Sequence, residues 1–128
     1  MLSESNVLAT IAVKDIEAAR KFYGDVLGLK PVPTDEAGVL SYRSGSSEIL
    51  IYESQHAGTN KATAATWVID RDLDGLVRDL RAKGVWFEHY DLPDTRREGD
   101  VHVSGNTRVA WLKDPEGNIL SVVSSGQK

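Results

Sequence analysis

Trp111-Leu-Lys-Asp-Pro-Glu-Gly-Asn-Ile-Leu-Ser-Val-Val123 reads as two short apolar runs joined by a tight turn. Asp114 brings a side-chain acceptor to the first turn position, Pro115 presets φ at the second, and Gly117 occupies the last. The runs Thr107 to Lys113 and Asn118 to Val123 are therefore expected to pair as a hairpin that closes the chain.

Outward from that hairpin, the rest of the chain divides into two similar stretches. Val7 to Val13 is apolar on both alternating faces and predicts a buried strand. Asp15 then caps a helix, with Glu17 in its first turn. Ile16, Ala19, Phe22, Tyr23, Val26 and Leu27 recur at helical spacing, and Gly28 stops the helix. Two or three short strands are expected next, at Lys30 to Thr34, Val39 to Arg43 and Glu48 to Glu53. Ser54 to Thr63 is rich in Gly, Thr, Asn and Ser and reads as a connector.

After the connector the pattern begins again. Ala64 to Asp70 predicts a strand, and Asp72 caps a second helix with Leu73, Leu76, Val77 and Leu80 on one face. Gly84 ends it, and Val85 to Tyr90 predicts another strand. Asp91 to Gly105 is a long polar stretch, open to two readings: a flap over a site or a surface loop. The two caps, Asp15 and Asp72, stand 57 residues apart in a repeated strand-helix-strand-strand-strand pattern.

At 128 residues the chain has one domain's length, long enough for a real core. The net charge of −4 is spread along it, and the short basic cluster at Arg96 and Arg97 is flanked by acidic residues. Neither nucleic acid nor an anionic membrane is an expected partner. The absence of cysteine excludes disulfides, thiolate ligands and a cysteine nucleophile. No apolar run approaches the ~20 residues that span a bilayer, and the N-terminus lacks a basic-then-apolar leader pattern. A soluble, unprocessed, cytoplasmic protein is the expectation.

The stretch Asp15-Ile-Glu-Ala-Ala-Arg-Lys-Phe-Tyr-Gly-Asp-Val-Leu-Gly-Leu29, taken with the closing hairpin, resembles the vicinal-oxygen-chelate superfamily. That superfamily contains glyoxalase I, extradiol dioxygenases and bleomycin-resistance proteins, and the likeness runs from about residue 6 to 124. It implies an α+β fold in which two tandem βαβββ modules form a cupped mixed sheet with helices outside. A single domain, 1–128, is expected, with module 1 at about 6–53, a connector at 54–63 and module 2 at about 64–124.

The resemblance also implies where a metal would be held, by His, Gln and Glu on the inner wall of the cup. Carried onto this sequence, those positions are Leu8, seven before Asp15, and Ala65, seven before Asp72. The others are Ser121, four after Gly117, and Ile49 or Leu50 with Glu48 adjacent. None of the positions as aligned carries a good metal ligand. His56 and His102 lie in polar stretches and are expected to be solvated. His89 alternates with Glu88 and Tyr90, so these neighbours cannot chelate together. A relocated site from His56, Glu53 and His89 stays open as an alternative.

Because the family's ligands face inward, alternation places Leu8, Thr10 and Ala12 on the inner wall, with Ala65, Trp67 and Ile69 on the partner strand. Tyr52 joins them if Leu50 does, Ser121 and Val123 line the last strand, and the faces of Trp111 and Tyr42 are unassigned. The expected ligand-binding residues are Thr10, Tyr52, Trp67, Ile69, Trp111 and Ser121, with no catalytic residue, metal or cofactor. This wall has the composition of a small-molecule pocket, unless the cup has closed into ordinary core.

The resemblance then implies a metal-independent protein that binds a planar or aromatic small molecule, like the bleomycin-resistance branch. The alternative is a lyase, isomerase or dioxygenase using a relocated metal or acid-base chemistry at Glu88, His89 or Glu48. A third reading, a partner protein with a filled cup, would take up no ligand. Open sheet edges and the habit of the superfamily lead us to expect a twofold homodimer.

Overall fold

Asp15 and Asp72 start the two helices as the sequence predicts. The Asp15 carboxylate accepts the backbone N–H groups of Glu17 and Ala18, both at 3.1 Å, and that of Asp72 accepts Gly75 N–H at 3.0 Å. Each satisfies donors that a helix start leaves unpaired. The structure is a computed structural model that describes residues 1–125. Its chain divides into two compact units, the first through Asn60 and the second from Lys61. The fold is α+β, with two mixed sheets and few helices.

In the first unit, β1 (Ala9–Val13) leads to α1 (Ile16–Ala19), and then come β2 (Lys30–Val32), β3 (Val39–Ser44) and β4 (Ser47–Glu53). The sheet order is β1-β4-β3-β2, with β1 parallel to β4 and the other pairs antiparallel. After α1 the helix continues through Arg20–Val26 as a π-helical segment, closed by Leu27 N–H on the Phe22 carbonyl five residues back. Ile11, Val13, Leu40, Tyr42, Ile49 and Ile51 are all buried, and the register puts them on one sheet face. Ala19, Phe22 and Tyr23 supply the helical side of that core. Tyr23 meets Phe22 edge-on at 5.1 Å and Tyr42 at 6.5 Å between ring centroids. Tyr42, unassigned from sequence, is therefore a core residue, and burial pushes its phenol pKa up.

The second unit runs β5 (Thr63–Val68), α2 (Leu73–Ala82), β6 (Trp86–Glu88), β7 (Arg96–Glu98), β8 (Val101–Ser104), β9 (Thr107–Lys113) and β10 (Ile119–Ser125). Its sheet order is β5-β10-β9-β8-β7, with β6 also on β9. The polar stretch 91–105 is neither a flap nor a plain surface loop, because its C-terminal part is the β7–β8 hairpin and extends the sheet. Polar composition hid it, since Arg96, Arg97 and Glu98 form an exposed edge strand.

The closing turn follows its sequence reading. Asp114 is buried, and Oδ1 accepts from Glu116 N–H at 2.9 Å and Asn118 N–H at 2.8 Å. Its Oδ2 accepts Asn118 Nδ2 at 2.9 Å, while Gly117 adopts φ 91°, a left-handed value that glycine tolerates at least cost.

Candidate functional site

The faces of the second sheet are fixed by β10. Leu120 and Val122 stand beside Ala65 and Trp67 on β5 and beside Leu112 and Ala110 on β9. This face belongs to α2: Arg108, in line with Ala110 and Leu112, reaches Asp74 of α2 at 2.8 Å and 2.9 Å. The paired carboxylate holds the Arg108 pKa above its ordinary value, against the effect of burial.

The opposite face carries Thr66, Ser121, Trp111, Val109, Glu88 and His102 in register. The Thr66 and Ser121 hydroxyls share a hydrogen bond of 2.7 Å. Trp111 Nε1 donates to Thr63 Oγ1 at 3.2 Å, and the indole meets Tyr90 and His102 edge-on at 5.1 and 4.8 Å. The Tyr90 and His102 rings are 6.2 Å apart, so three aromatic side chains from three segments form one cluster.

Trp67 and Ile69 therefore do not join Trp111 and Ser121. The register places Trp67 on the α2 face, and alternation puts Ile69, which is buried, with it. In the first unit one residue, Lys14, separates the strand's last buried residue, Val13, from the cap Asp15. In the second, two residues, Asp70 and Arg71, separate Ile69 from Asp72. A count of seven back from each cap thus lands on opposite faces, and the counterpart of Leu8 is Ala64, not Ala65. Thr10 and Tyr52 are on a common face of the first sheet, turned away from Ile11, Val13, Ile49 and Ile51, as expected.

His102 was expected to be solvated, but it is 1% exposed. Its Nε2 accepts the Tyr90 backbone N–H at 3.0 Å, so in the neutral ring the proton is on Nδ1. Nδ1 has no hydrogen-bond partner among the described residues. Val109's backbone is near enough to favour the protonated ring but makes no hydrogen bond of proper geometry. Burial dominates and lowers the His102 pKa. The Tyr90 phenol is pushed up by burial and then by the charge of Glu88.

β6 and β8 lie on the same side of β9, Glu88 opposite Trp111 and His102 opposite Val109. At the break between them Asp100, 7% exposed, receives His89 Nε2 on Oδ1 at 2.7 Å and Arg81 on Oδ2. A hollow of about 550 Å³ opens there, lined by Arg81, Val85, Trp86, Phe87, Glu88, His89 and Asp100. No periodicity marks Arg81 or Asp100 in the sequence, because one sits on a solvated helix face and the other in the polar stretch.

The positions carried over from the resemblance, Leu8, Ala65 or its face counterpart Ala64, Ser121, and Ile49 or Leu50 with Glu48 adjacent, do not make a donor set that fits a divalent ion. Among the described residues no group of three or more His, Asp or Glu side chains is placed to hold one, and none forms around His56, Glu53 or His89. No helix among them is long and apolar enough to cross a membrane.

Each unit follows a βα pair with antiparallel strands, and the second carries an aromatic cluster on the sheet face opposite its helix. The sequence model of the Glyoxalase/Bleomycin resistance protein/Dioxygenase superfamily matches residues 6–122, and the chain belongs to that superfamily. Solved structures agree on the fold. A glyoxalase family protein from Bacillus anthracis is 21% identical with a TM-score of 0.70, covering 94% of this chain and 96% of its own. Lactoylglutathione lyase from Agrobacterium tumefaciens is 19% identical at 0.69, covering 94% and 93%. The fosfomycin resistance protein FosX from Listeria monocytogenes is 14% identical at 0.71, covering 95% and 93%. No curated protein matches the chain.

Proposed function

We propose that this protein binds a planar or aromatic small molecule without a metal, in the manner of the bleomycin-resistance branch of its superfamily. The observation that carries the reading is the second sheet's face opposite α2. There Trp111, Tyr90 and His102 form an aromatic cluster, with the Thr66 and Ser121 hydroxyls beside it. Such a face offers stacking area and a few polar groups for orientation, which is how small-molecule sites are commonly built. The ligand-poor positions Leu8, Ala64 and Ser121 favour uptake over metal-assisted turnover.

The test is quenching of indole fluorescence by a panel of planar aromatic compounds, in the wild type and in Trp111→Phe. Saturable quenching that weakens in the variant supports the reading. Absence of quenching by every compound overturns it. We propose further that the protein pairs with a second copy, since among the described residues β1, β2, β5, β6 and β7 each have a sheet partner on one side only. Light scattering at micromolar concentration decides that, and a monomer mass rejects it.

A further inference from the structure

The hollow beside β6 contains a second constellation that the binding reading leaves unused. We propose that His89, Asp100 and Arg81 form a general acid-base site for carbon acids, planar molecules whose C–H proton is acidified by an adjacent carbonyl or azole. The proposal does not depend on the ligand-binding reading.

Three observations carry it. Asp100 is buried and fully engaged, with one oxygen on His89 Nε2 and the other on Arg81. A carboxylate held so accepts the Nε2 proton, fixes the tautomer and leaves the Nδ1 lone pair of His89 as the basic atom. His89 is itself open, its side chain 44% exposed, and among the described residues its Nδ1 makes no hydrogen bond. Arg81, with its side chain 61% exposed, uses one terminal nitrogen on Asp100 and keeps further N–H donors for an oxyanion. Trp86, 71% exposed on the same hollow, supplies an aromatic surface for a flat guest.

A structural staple alone would need the Asp100 contacts. It would not need an open imidazole, spare guanidinium donors and an exposed indole around one hollow. In the proposed step the substrate C–H bond breaks and its proton passes to His89 Nδ1. The electron pair moves into the adjacent carbonyl or azole, and the resulting oxyanion is held by Arg81. The imidazolium beside Asp100 then returns the proton to carbon or, where the leaving oxygen departs as a stable phenolate, passes it to water, so nothing else is consumed. His89 would be the catalytic base, Arg81 the oxyanion donor and Asp100 a positioning residue. The charged or titratable groups around His89 are Asp100, Arg81 through it, the neighbouring Glu88, and His102 with its ring at 6.4 Å.

Nitrobenzisoxazole is a suitable probe, being flat and aromatic with one acidic C–H. Removal of that proton breaks the N–O bond and releases a coloured cyanonitrophenolate. The wild type is expected to open it faster than free imidazole at equal concentration. His89→Gln, on an open side chain, should keep its melting temperature and lose the excess rate at least tenfold. Asp100→Asn should lower the rate and move the midpoint of the pH profile, which a purely structural role would not do. A wild-type rate no greater than that of imidazole, or an undiminished rate in folded His89→Gln, overturns the proposal.

Discussion

Thr66 and Ser121, 55 residues apart in the chain, share a 2.7 Å hydrogen bond between hydroxyls on adjacent parallel strands. The bond fixes which way β5 faces. With Thr66 on the Ser121 side, Trp67 points to α2 and Trp111 to the opposite face.

The two tryptophans are therefore expected to fail differently. Trp67→Ala should lower stability by about 2 kcal/mol, below the range for a fully buried aromatic because Trp67 is only half-buried. Its aromatic-ligand affinity should hold. Trp111→Ala should weaken aromatic binding about two- to twelvefold, the worth of one stacking contact of about 0.5 to 1.5 kcal/mol. Urea melts beside fluorescence titrations separate the two, and equal binding loss in both variants would contradict the assigned faces.

Purified protein is expected to carry no stoichiometric nickel, zinc, iron or manganese, because Leu8, Ala64 and Ser121 offer no donor set for them. Elemental analysis checks this. Near one metal per chain, removable by a chelator with loss of an activity, would contradict it.

His102 should make stability depend on pH. Its pKa in the folded protein lies below the ordinary 6.5, so the folded ring stays neutral at a pH where the unfolded ring takes a proton. The unfolded state then binds more protons, and stability falls as pH drops from about 7 through the unfolded value toward the folded one. Urea unfolding across that window should show the loss in wild type and a shallower one in His102→Gln. Identical slopes would remove His102 as the cause.

Asp114→Ala should cost about 3 kcal/mol, since it strips two backbone N–H groups and the Asn118 amide of a buried charged acceptor. Gly117→Ala, at φ 91°, should cost about 1 kcal/mol. Both values are read from denaturant midpoints, and a neutral Asp114→Ala would mean the turn is set by Pro115 and Gly117 alone.

Much of the fold was legible because its signals are local. Asp15 and Asp72 announce helices through side chains that bond their own backbone, and Asp114 to Gly117 spell a turn. The candidate site was less legible because it depends on register. One extra connector residue, Asp70 or Arg71, inverts β5, and no composition or period shows that from one sequence. His102 misled for a related reason: its neighbours are polar, yet pairing of β8 with Val109 of β9 buries it. The His89–Asp100–Arg81 contacts join a strand end, a hairpin and a helix, and contacts of that kind are invisible to periodicity.

The wide helical turn after α1 treats a single residue quite differently. Between Arg20 and Val26 the backbone bonds already reach five residues back, and Leu29 N–H reaches the Tyr23 carbonyl six back. A deletion within that turn would tighten it toward ordinary α geometry, leaving Leu29 and the Lys30↔Arg43 pairing of β2 in place. The first unit thus has slack for a change in chain length within its helix, whereas in the second a single residue at the strand-to-helix connector inverts β5.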